Sequence, residues 1–257
     1  MTTSDREIAE ALAKGRLSGE KMTGYPGPMP RDKAHAFAIQ TEAAKIIGWT
    51  RAGWKVGCTS EMAQKHLGTD GPFPGPVYRE RLFRSGDHVP THASNSRTSE
   101  PEIAFTFGKD LPKRDRPYSI DEVLAAVATV HPALEVVNPR LPKQFDDHVF
   151  WYIADGALSD ALVIGPGVKP LKREDYATRK GEARVNGEVV STGVGANALK
   201  GPENVLTWLA NDLTDKGFHL RVGDVVTTGV ITGLFFAKLG DEVKVSIESI
   251  GDVIVRY

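Results

Sequence analysis

The sequence predicts an α+β fold with a β-rich core and a small helical N-terminal part. Helical spacing of apolar residues dominates before residue 50, whereas short alternating strand patterns dominate after residue 95. Hydrophobic residues make up 40% and charged residues 25% of the 257 residues, as in a globular domain. We therefore expect one functional unit, in which a helical and loop region at 1–95 packs on a β-rich core at 96–257.

The N-terminal part is predicted to contain two helices and one strand. Residues 6–14 and 32–47 carry apolar side chains at helical spacing, and the three prolines within 25–30 exclude regular structure between them. Residues 54–58 have the composition of a short strand, and Thr59-Ser60-Glu61 has that of a helix start. Glycine and proline recur across 68–86, so we expect a loop there that could cover a site.

The core is predicted from strands that turn residues separate. A capping box at Ser119-Ile-Asp-Glu122 begins a helix that runs to Val127. Asn186-Gly187 predicts a type I′ hairpin, and a helix at 202–216 should stop at Gly217. Strands at 225–228, 243–247 and 253–255 should close the chain, with turns at Gly240-Asp241 and Gly251-Asp252.

Charge and cysteine content exclude several classes of protein. The 32 basic and 33 acidic residues mix along the chain, so we expect no surface for nucleic acid or an anionic membrane. Cys58 is the single cysteine, which excludes an internal disulfide and favours a cytoplasmic enzyme. The first ten residues are polar, unlike a secretory signal, and no stretch approaches the ~20 apolar residues of a membrane span.

Three glutamates are the candidate metal ligands. Glu100 and Glu102 begin a strand whose apolar residues in 103–107 point the other way, so the two carboxylates share one face. Such a pair is unfavourable unless water or a cation neutralises it, and Glu135, inside an apolar run, also needs a partner. An exposed strand face for the pair and an arginine partner for Glu135 remain alternatives. If a cation binds, oxygen ligands suit magnesium, manganese or calcium.

Short motifs follow one another in a fixed order along nearly the whole chain. They are Gly53-Trp-Lys-Val-Gly-Cys-Thr-Ser60, Glu100-Pro-Glu-Ile-Ala-Phe105, Ala133-Leu-Glu-Val-Val137, Ile153-Ala-Asp155, Asn186-Gly-Glu-Val-Val190, Leu220-Arg-Val-Gly-Asp-Val-Val226, Thr228-Gly229 and Ile250-Gly-Asp-Val-Ile-Val255. In this order they resemble the fumarylacetoacetate hydrolase superfamily, in its branch of 2-oxopent-4-enoate hydratases and 4-oxalocrotonate decarboxylases. The resemblance implies a mixed β-roll core and a homo-oligomer, which in relatives also forms complexes with a pathway enzyme.

The resemblance also implies a metal site and a lysine beside it. Glu100, Glu102 and Glu135 would bind Mg²⁺ or Mn²⁺, which acts as a Lewis acid on the carboxylate and 2-oxygen of a small 2-oxo acid. Lys55 would serve as acid, base or carboxylate partner. Without the resemblance, Lys55 would be interpreted as a strand lysine that reaches solvent.

Further pocket residues follow from the same resemblance. Asp155 and Ser159 match an Asp-Asn-Ala-Ser-Ser segment of relatives, which implies a catalytic role for Asp155 and a substrate contact for Ser159. Thr228 and Gly229 match a pair whose backbone approaches the substrate. A turn aspartate, a loop serine and a strand ending in a glycine turn are the alternatives. Cys58 is expected to act as a small hydrophobic residue.

Departures from the family pattern bear on the substrate and leave the metal ligands in place. Residues 72–75 read Pro-Phe-Pro-Gly where relatives often read Pro-Asp-Phe-Gly, so Phe73 replaces an acidic side chain. Gly156 and Leu158 replace Asn and Ser, and Asp160 replaces Gly. These differences concern both the substrate and the step of water addition.

The leading hypothesis is a metal-dependent lyase, a 2-hydroxypenta-2,4-dienoate hydratase. A 4-oxalocrotonate-type decarboxylase is the first alternative; it needs a second cationic subsite, for which Arg97, Arg140 and Lys143 are candidates, and the sequence at 228–232 slightly favours it. An acylpyruvate carbon-carbon hydrolase is the second alternative, although the sequence indicates no general-base histidine. A non-catalytic partner subunit is the third, against which the complete glutamate cluster argues.

Overall fold

Two β-sheets organise the chain in the computed structural model, which describes residues 3–257. The strands are β1 Arg51–Gly57, β2 Phe73–Tyr78, β3 Leu82–Arg84, β4 Thr98–Phe107, β5 Val127–Val137, β6 Ser159–Ile164, β7 Lys180–Val185, β8 Glu188–Val194, β9 Val225–Thr227, β10 Phe235–Phe236, β11 Glu242–Ile247 and β12 Gly251–Arg256. The larger sheet has the order β2-β1-β9-β4-β5-β6-β3, with β10 beside β4, and the smaller one has the order β12-β11-β7-β8. Because β1 with β9 and β3 with β6 pair in parallel and the other pairs are antiparallel, the larger sheet is mixed.

Helices pack beside the sheets, and polar side chains fix several of their first turns. Asp32 accepts a hydrogen bond from the backbone N–H of His35, and Ser119 with Glu122 forms the predicted capping box. The helix after Ser119 ends at Leu124, so the prediction that it reaches Val127 is wrong; Val127 begins β5. The helices are α1 Thr3–Ser18, α2 Lys33–Ile47, α3 Glu61–Leu67, α4 Ile120–Leu124, α5 Val149–Ala154 and α6 Pro202–Asp215.

The segment 68–86, predicted to be a loop, contains β2 and β3. Strand β2 includes Pro74 and Pro76, but it lies at the edge of the sheet, where a strand tolerates residues that cannot donate a backbone hydrogen bond. Strands β1 to β3 therefore join the larger sheet although they precede residue 96. The functional division at residue 95 stays a prediction.

The turns of the smaller sheet confirm one prediction and correct another. Asn186 and Gly187 have φ angles of 50° and 89°, as the predicted type I′ hairpin between β7 and β8 requires. The turn before β12 lies at 248–250, where Ser249 has a φ of 62°, and Gly251 already pairs with Ile247. The predicted Gly251-Asp252 turn is therefore wrong, because Ser249 adopts the left-handed conformation in place of a glycine.

Both faces of the central pair β4 and β5 are buried, and this position carries the candidate site. Ile103 and Phe105 belong to the main core together with Val245 of the smaller sheet, whereas Ala104 and Ala133 belong to a separate apolar cluster. The predicted α+β class with a mixed β core is confirmed. Among residues 3–257, no helix combines the length and apolar character that a membrane span needs.

Candidate metal centre

The three predicted glutamates converge at the centre of the larger sheet. Glu100 of β4 is the direct partner of Glu135 in β5, and Glu102 lies two residues further along the same face of β4. One carboxylate oxygen from each residue lies within 4.8 Å of the other two. Glu102 and Glu135 are buried and Glu100 is partly exposed, so the alternative of an exposed strand face is wrong.

The electrostatics of this cluster favour an added positive charge. Burial raises the pKa of Glu100 and of Glu135, the latter to about 7. Burial also raises the pKa of Glu102 far above its ordinary value, and the nearby charges of Glu135 and Glu100 raise it further. Glu102 Oε1 accepts no hydrogen bond from any described residue. A proton or a cation must therefore reduce the repulsion among these carboxylates. Three hard oxygen donors suit Mg²⁺ or Mn²⁺.

Lys55 lies beside the cluster and is only 3% exposed, so it does not reach solvent. Its Nζ lies 3.2 Å from Glu135 Oε2 and donates a hydrogen bond to the carbonyl of Ala157 at 3.1 Å. Burial disfavours its charge, but the surrounding carboxylates raise the pKa of Lys55 above the ordinary value. With all groups ionised, three carboxylates and one ammonium leave a net charge of −2, which a divalent cation cancels.

Gly229 supports the cluster through its backbone. Its N–H donates to Glu102 Oε2 at 2.8 Å, and its φ is 90°. A Cβ atom at Gly229 would lie 1.9 Å from Thr59 Oγ1, so no other residue fits there without displacement. The neighbouring Thr228 is fully buried, and its hydroxyl donates to the carbonyl of Ile103 at 2.9 Å. Direct contact of Thr228 and Gly229 with a substrate stays a prediction.

Asp155 and Ser159 flank a turn in which the carbonyl of Ala157 accepts a hydrogen bond from Lys55. The three intervening residues, Gly156, Ala157 and Leu158, have φ angles of 67°, 55° and 60°. Asp155 Oδ1 accepts a hydrogen bond from Arg140 Nη2 at 3.1 Å, and Asp155 does not line the cavity described below. Ser159 begins β6 and is buried.

A cavity of about 400 Å³ opens beside the cluster. Its wall joins α3, β1, β2, the 155–158 turn and the segment that contains β10. Most of these residues could not be predicted from the sequence, because apolar residues that line a cavity have the same local pattern as apolar residues of the core. The lining residues are Lys55, Gly57, Cys58, Ala63, His66, Leu67, Phe73, Glu100, Val137, Phe145, Tyr152, Ala157, Leu158, Leu234 and Phe236.

Cys58 and His66 are two residues of this wall whose chemistry was considered from the sequence. Burial raises the pKa of the Cys58 thiol to about 11, which keeps it protonated, as expected of a small hydrophobic residue. His66 is exposed on α3 and lines the cavity. The sequence had indicated no general-base histidine, and whether His66 can act as one stays untested.

The three candidates for a second cationic subsite do not line this cavity. Arg140 is buried against Asp155, and Arg97 Nε donates to the carbonyl of Ala237 at 3.3 Å. Lys143 borders a neighbouring cavity of about 640 Å³, which shares His66, Leu67 and Phe145 with the first.

A family model and individual relatives both match most of this chain. The model of the fumarylacetoacetate (FAA) hydrolase C-terminal family matches residues 78–256. A 2-keto-4-pentenoate hydratase of Paraburkholderia xenovorans (strain LB400) is 31% identical over 265 residues, which cover 100% of this chain and 96% of the relative. A 2-oxo-hept-4-ene-1,7-dioate hydratase of Escherichia coli is 29% identical over 232 residues, which cover 86% of this chain and 85% of the relative.

Solved structures show the same architecture. The 4-oxalocrotonate decarboxylase from Pseudomonas putida G7, complexed with magnesium and adipate, superposes with a TM-score of 0.87 at 26% identity over 98% of this chain and 96% of its own. A fumarylpyruvate hydrolase from Pseudomonas aeruginosa, in complex with Mn²⁺ and pyruvate, shares the fold with a TM-score of 0.62 at 17% identity over 80% of this chain and 89% of its own.

Proposed function

This chain belongs to the fumarylacetoacetate hydrolase family, and from that premise we propose that it is a metal-dependent lyase that hydrates a 2-hydroxypenta-2,4-dienoate-type acid. The observation that carries the proposal is the cluster of Glu100, Glu102, Glu135 and Lys55, whose net charge of −2, when all four groups are ionised, matches one divalent cation. The named function of the full-length relatives, 2-keto-4-pentenoate hydratase, supports the choice of reaction.

The three glutamates fit Mg²⁺ or Mn²⁺. Glu102 Oε1 has no hydrogen-bond partner among the described residues, and all three residues offer an oxygen to a common point. When bound, such an ion polarises the 2-oxygen of the acid and stabilises the enolate form. The structure with magnesium of the similar decarboxylase supports this choice of ion.

Lys55 Nζ is the group that we propose moves the proton. Glu135 and the carbonyl of Ala157 hold this nitrogen at 3.2 Å and 3.1 Å, which fixes the direction of its remaining proton toward the cavity. The buried carboxylates keep the nitrogen charged, so it acts first as a donor and then as the acceptor of the returned proton. The wall beside it is largely apolar.

Asp155 is proposed to act as a positioning residue. Its carboxylate binds Arg140, and its carbonyl accepts a hydrogen bond from Arg16 at 3.2 Å, so both sides of the residue are held. This anchoring fixes the following turn, which presents the carbonyl of Ala157 to Lys55. Ser159, Thr228 and Gly229 are proposed to shape the pocket around the ion and the substrate.

A decarboxylase remains the second candidate function, because the similar decarboxylase structure covers nearly the whole chain. The wall of the cavity offers no arginine for a second carboxylate, which favours the hydratase. An acylpyruvate hydrolase is a weaker candidate, for which His66 would have to act as the base. The complete glutamate cluster argues against a non-catalytic subunit.

One assay separates these reactions. The purified protein with Mg²⁺ or Mn²⁺ is mixed with 2-hydroxypenta-2,4-dienoate, 4-oxalocrotonate or an acylpyruvate, while ultraviolet absorbance and carbon dioxide are followed. Hydration converts the dienoate to a 4-hydroxy-2-oxo acid without gas, whereas decarboxylation of the diacid releases carbon dioxide. Failure of every substrate in the presence of either metal would refute the lyase proposal.

We also propose that the chain forms a homo-oligomer in the cytoplasm. Val189 and Val190 of the edge strand β8 are 47% and 45% exposed in the single chain, which supports burial in an assembly. Light scattering tests the oligomer. Copurification tests a complex with a pathway enzyme.

A further inference from the structure

Apart from Lys55 and Glu100, the wall of the 400 Å³ cavity is largely apolar. We infer that the substrate is a mono-acid whose far end carries an uncharged apolar chain or ring beyond the five-carbon dienoate. This inference rests on the proposed function, in which the ion binds the acid end. The wall residues that would face the apolar end are Ala63, Leu67, Phe73, Val137, Phe145, Leu158, Leu234 and Phe236.

The cavity is larger than the minimal substrate. One water molecule occupies about 30 Å³ in the liquid, so a space of about 400 Å³ holds roughly a dozen such volumes. A five-carbon 2-hydroxydienoate, with eight non-hydrogen atoms, leaves part of this space to water against an apolar wall. A substituent on the far carbon would displace that water and bury apolar surface on both sides.

The same wall disfavours a second carboxylate. Moving an ionised carboxylate from water into an apolar site costs free energy unless a cationic group pairs with it. Of the lining side chains that can be positively charged, Lys55 already binds Glu135, and His66 is exposed on α3. Tyr152 is neutral, because burial raises its pKa well above the ordinary value for tyrosine, and its hydroxyl has no hydrogen-bond partner among residues 3–257. A neutral donor is a weaker partner for a carboxylate than a guanidinium is.

Aromatic and branched side chains continue to the mouth of the cavity. Phe145 and Phe236 meet edge to face with ring centroids 6.3 Å apart. Leu234 and Phe236 are 48% and 59% exposed, so an apolar chain that reaches the mouth would cover them. The gain in affinity should therefore continue beyond the first added carbon.

Binding of stable analogues tests the inference without turnover. Saturated 2-oxo acids from 2-oxobutanoate to 2-oxooctanoate, together with the diacids 2-oxoadipate and 2-oxosuberate, are titrated by calorimetry into the protein saturated with Mg²⁺. We expect the affinity to rise about three- to fourfold for each added methylene. We expect each diacid to bind at least tenfold more weakly than the mono-acid of equal length. Diacids that bind as tightly as the mono-acids, or affinity that does not change with length, would overturn the inference.

Two leucine variants provide the matched test. Leu234→Arg places a guanidinium at the mouth, and we expect it to raise diacid affinity at least tenfold over the wild-type protein. Leu239→Arg makes the same change at a leucine that is 60% exposed and does not line the cavity, so the order of affinities should stay that of the wild-type protein. An equal gain in diacid affinity in both variants would mean that general charge, rather than the wall, sets the preference.

Turnover separates failure of this inference from failure of the proposed function. If the mono-acids bind in order of length but no dienoate is hydrated, the hydratase proposal fails and the apolar subsite stands. If 2-hydroxypenta-2,4-dienoate and a dienoate with a second carboxylate are hydrated as efficiently as an alkyl-substituted one, the lyase proposal stands and the inference fails.

Discussion

Lys55 and Glu135 form an ion pair of 3.2 Å inside the protein, with side chains only 4% and 1% exposed. Two further carboxylates share this buried space, so the pair does not neutralise its surroundings. Isolated buried pairs contribute little net stability, because desolvation offsets their attraction. The cluster is therefore better explained as a site prepared for a divalent cation than as a stabilising feature of the fold.

Replacing Lys55 should separate metal binding from turnover. In Lys55→Met the cluster retains its three glutamates and gains negative charge, so Mg²⁺ should bind at least as tightly as in the wild-type protein. Turnover should fall by about 100-fold or more, because the proton-transfer group is lost. Without metal, the unpaired carboxylates should lower the free energy of unfolding by about 3–5 kcal/mol. Calorimetry, kinetics and thermal unfolding measure the three effects; turnover within twofold of wild type would exclude Lys55 as the proton carrier.

Replacing Glu135 should weaken metal binding as well as turnover. Glu135→Gln removes one charge and one oxygen ligand but preserves shape, so metal affinity should fall by more than the roughly 10–100-fold typical of losing an outer-shell partner. Metal-dependent turnover should be abolished while circular dichroism stays unchanged. Glu182→Gln, which breaks an exposed pair with Arg184 in the smaller sheet, is the control. Unchanged turnover in Glu135→Gln would contradict the assignment of the metal site.

Two glycines with nearly equal φ angles test the close approach at the metal site. Gly229 has a φ of 90° and Gly240 a φ of 89°, but a Cβ atom at Gly240 would meet nothing within 4 Å. Both alanine variants should carry a conformational cost of about 1–3 kcal/mol. Gly229→Ala should lose about 1–3 kcal/mol more through its contact with Thr59, and its metal affinity should fall as Glu102 is displaced. Equal unfolding free energies and metal affinities in the two variants would contradict this.

The stabilising effect of metal should increase with pH. In the metal-free protein the pKa of Glu135 is about 7, above its ordinary value of 4.5, so the folded state binds more protons between these values. Its free energy of unfolding should therefore decrease as pH rises from about 4.5 to about 7. A divalent cation takes the place of the proton, so the gain in melting temperature with Mg²⁺ should be larger at pH 8 than at pH 5.

Thermal unfolding with Mg²⁺ and with a chelator across this pH range measures that difference. Burial lowers the pKa of His131, but this residue titrates in both samples and cancels in the comparison. A gain in melting temperature that is independent of pH would show that the carboxylates are already ionised without metal.

Patterns of neighbouring residues were sufficient to predict several structural elements. The capping box at Ser119, the Asn186-Gly187 hairpin and the alternation that placed Glu100 and Glu102 on one face all depend on residues within a few positions. The segment 68–86 was mispredicted because its prolines and glycines indicate a loop, whereas pairing with β1 and β6 makes parts of it strands. Sheet pairing is a contact between distant segments, and local composition does not encode it.

By itself, the sequence determined the α+β class, the three carboxylates and, through an ordered set of motifs, the family. Only the tertiary structure decided how these side chains meet and which of the predicted site residues lies outside the cavity. Strand register brings Glu100 opposite Glu135 and buries Lys55 beside them, whereas Asp155 pairs with Arg140 behind the turn. The apolar wall of the cavity could not be predicted from the sequence either, because a residue such as Phe73 has the same local pattern whether it faces a core or a cavity. Burial and charge neutralisation depend on contacts between segments that are distant in sequence, so they arise only in the folded chain.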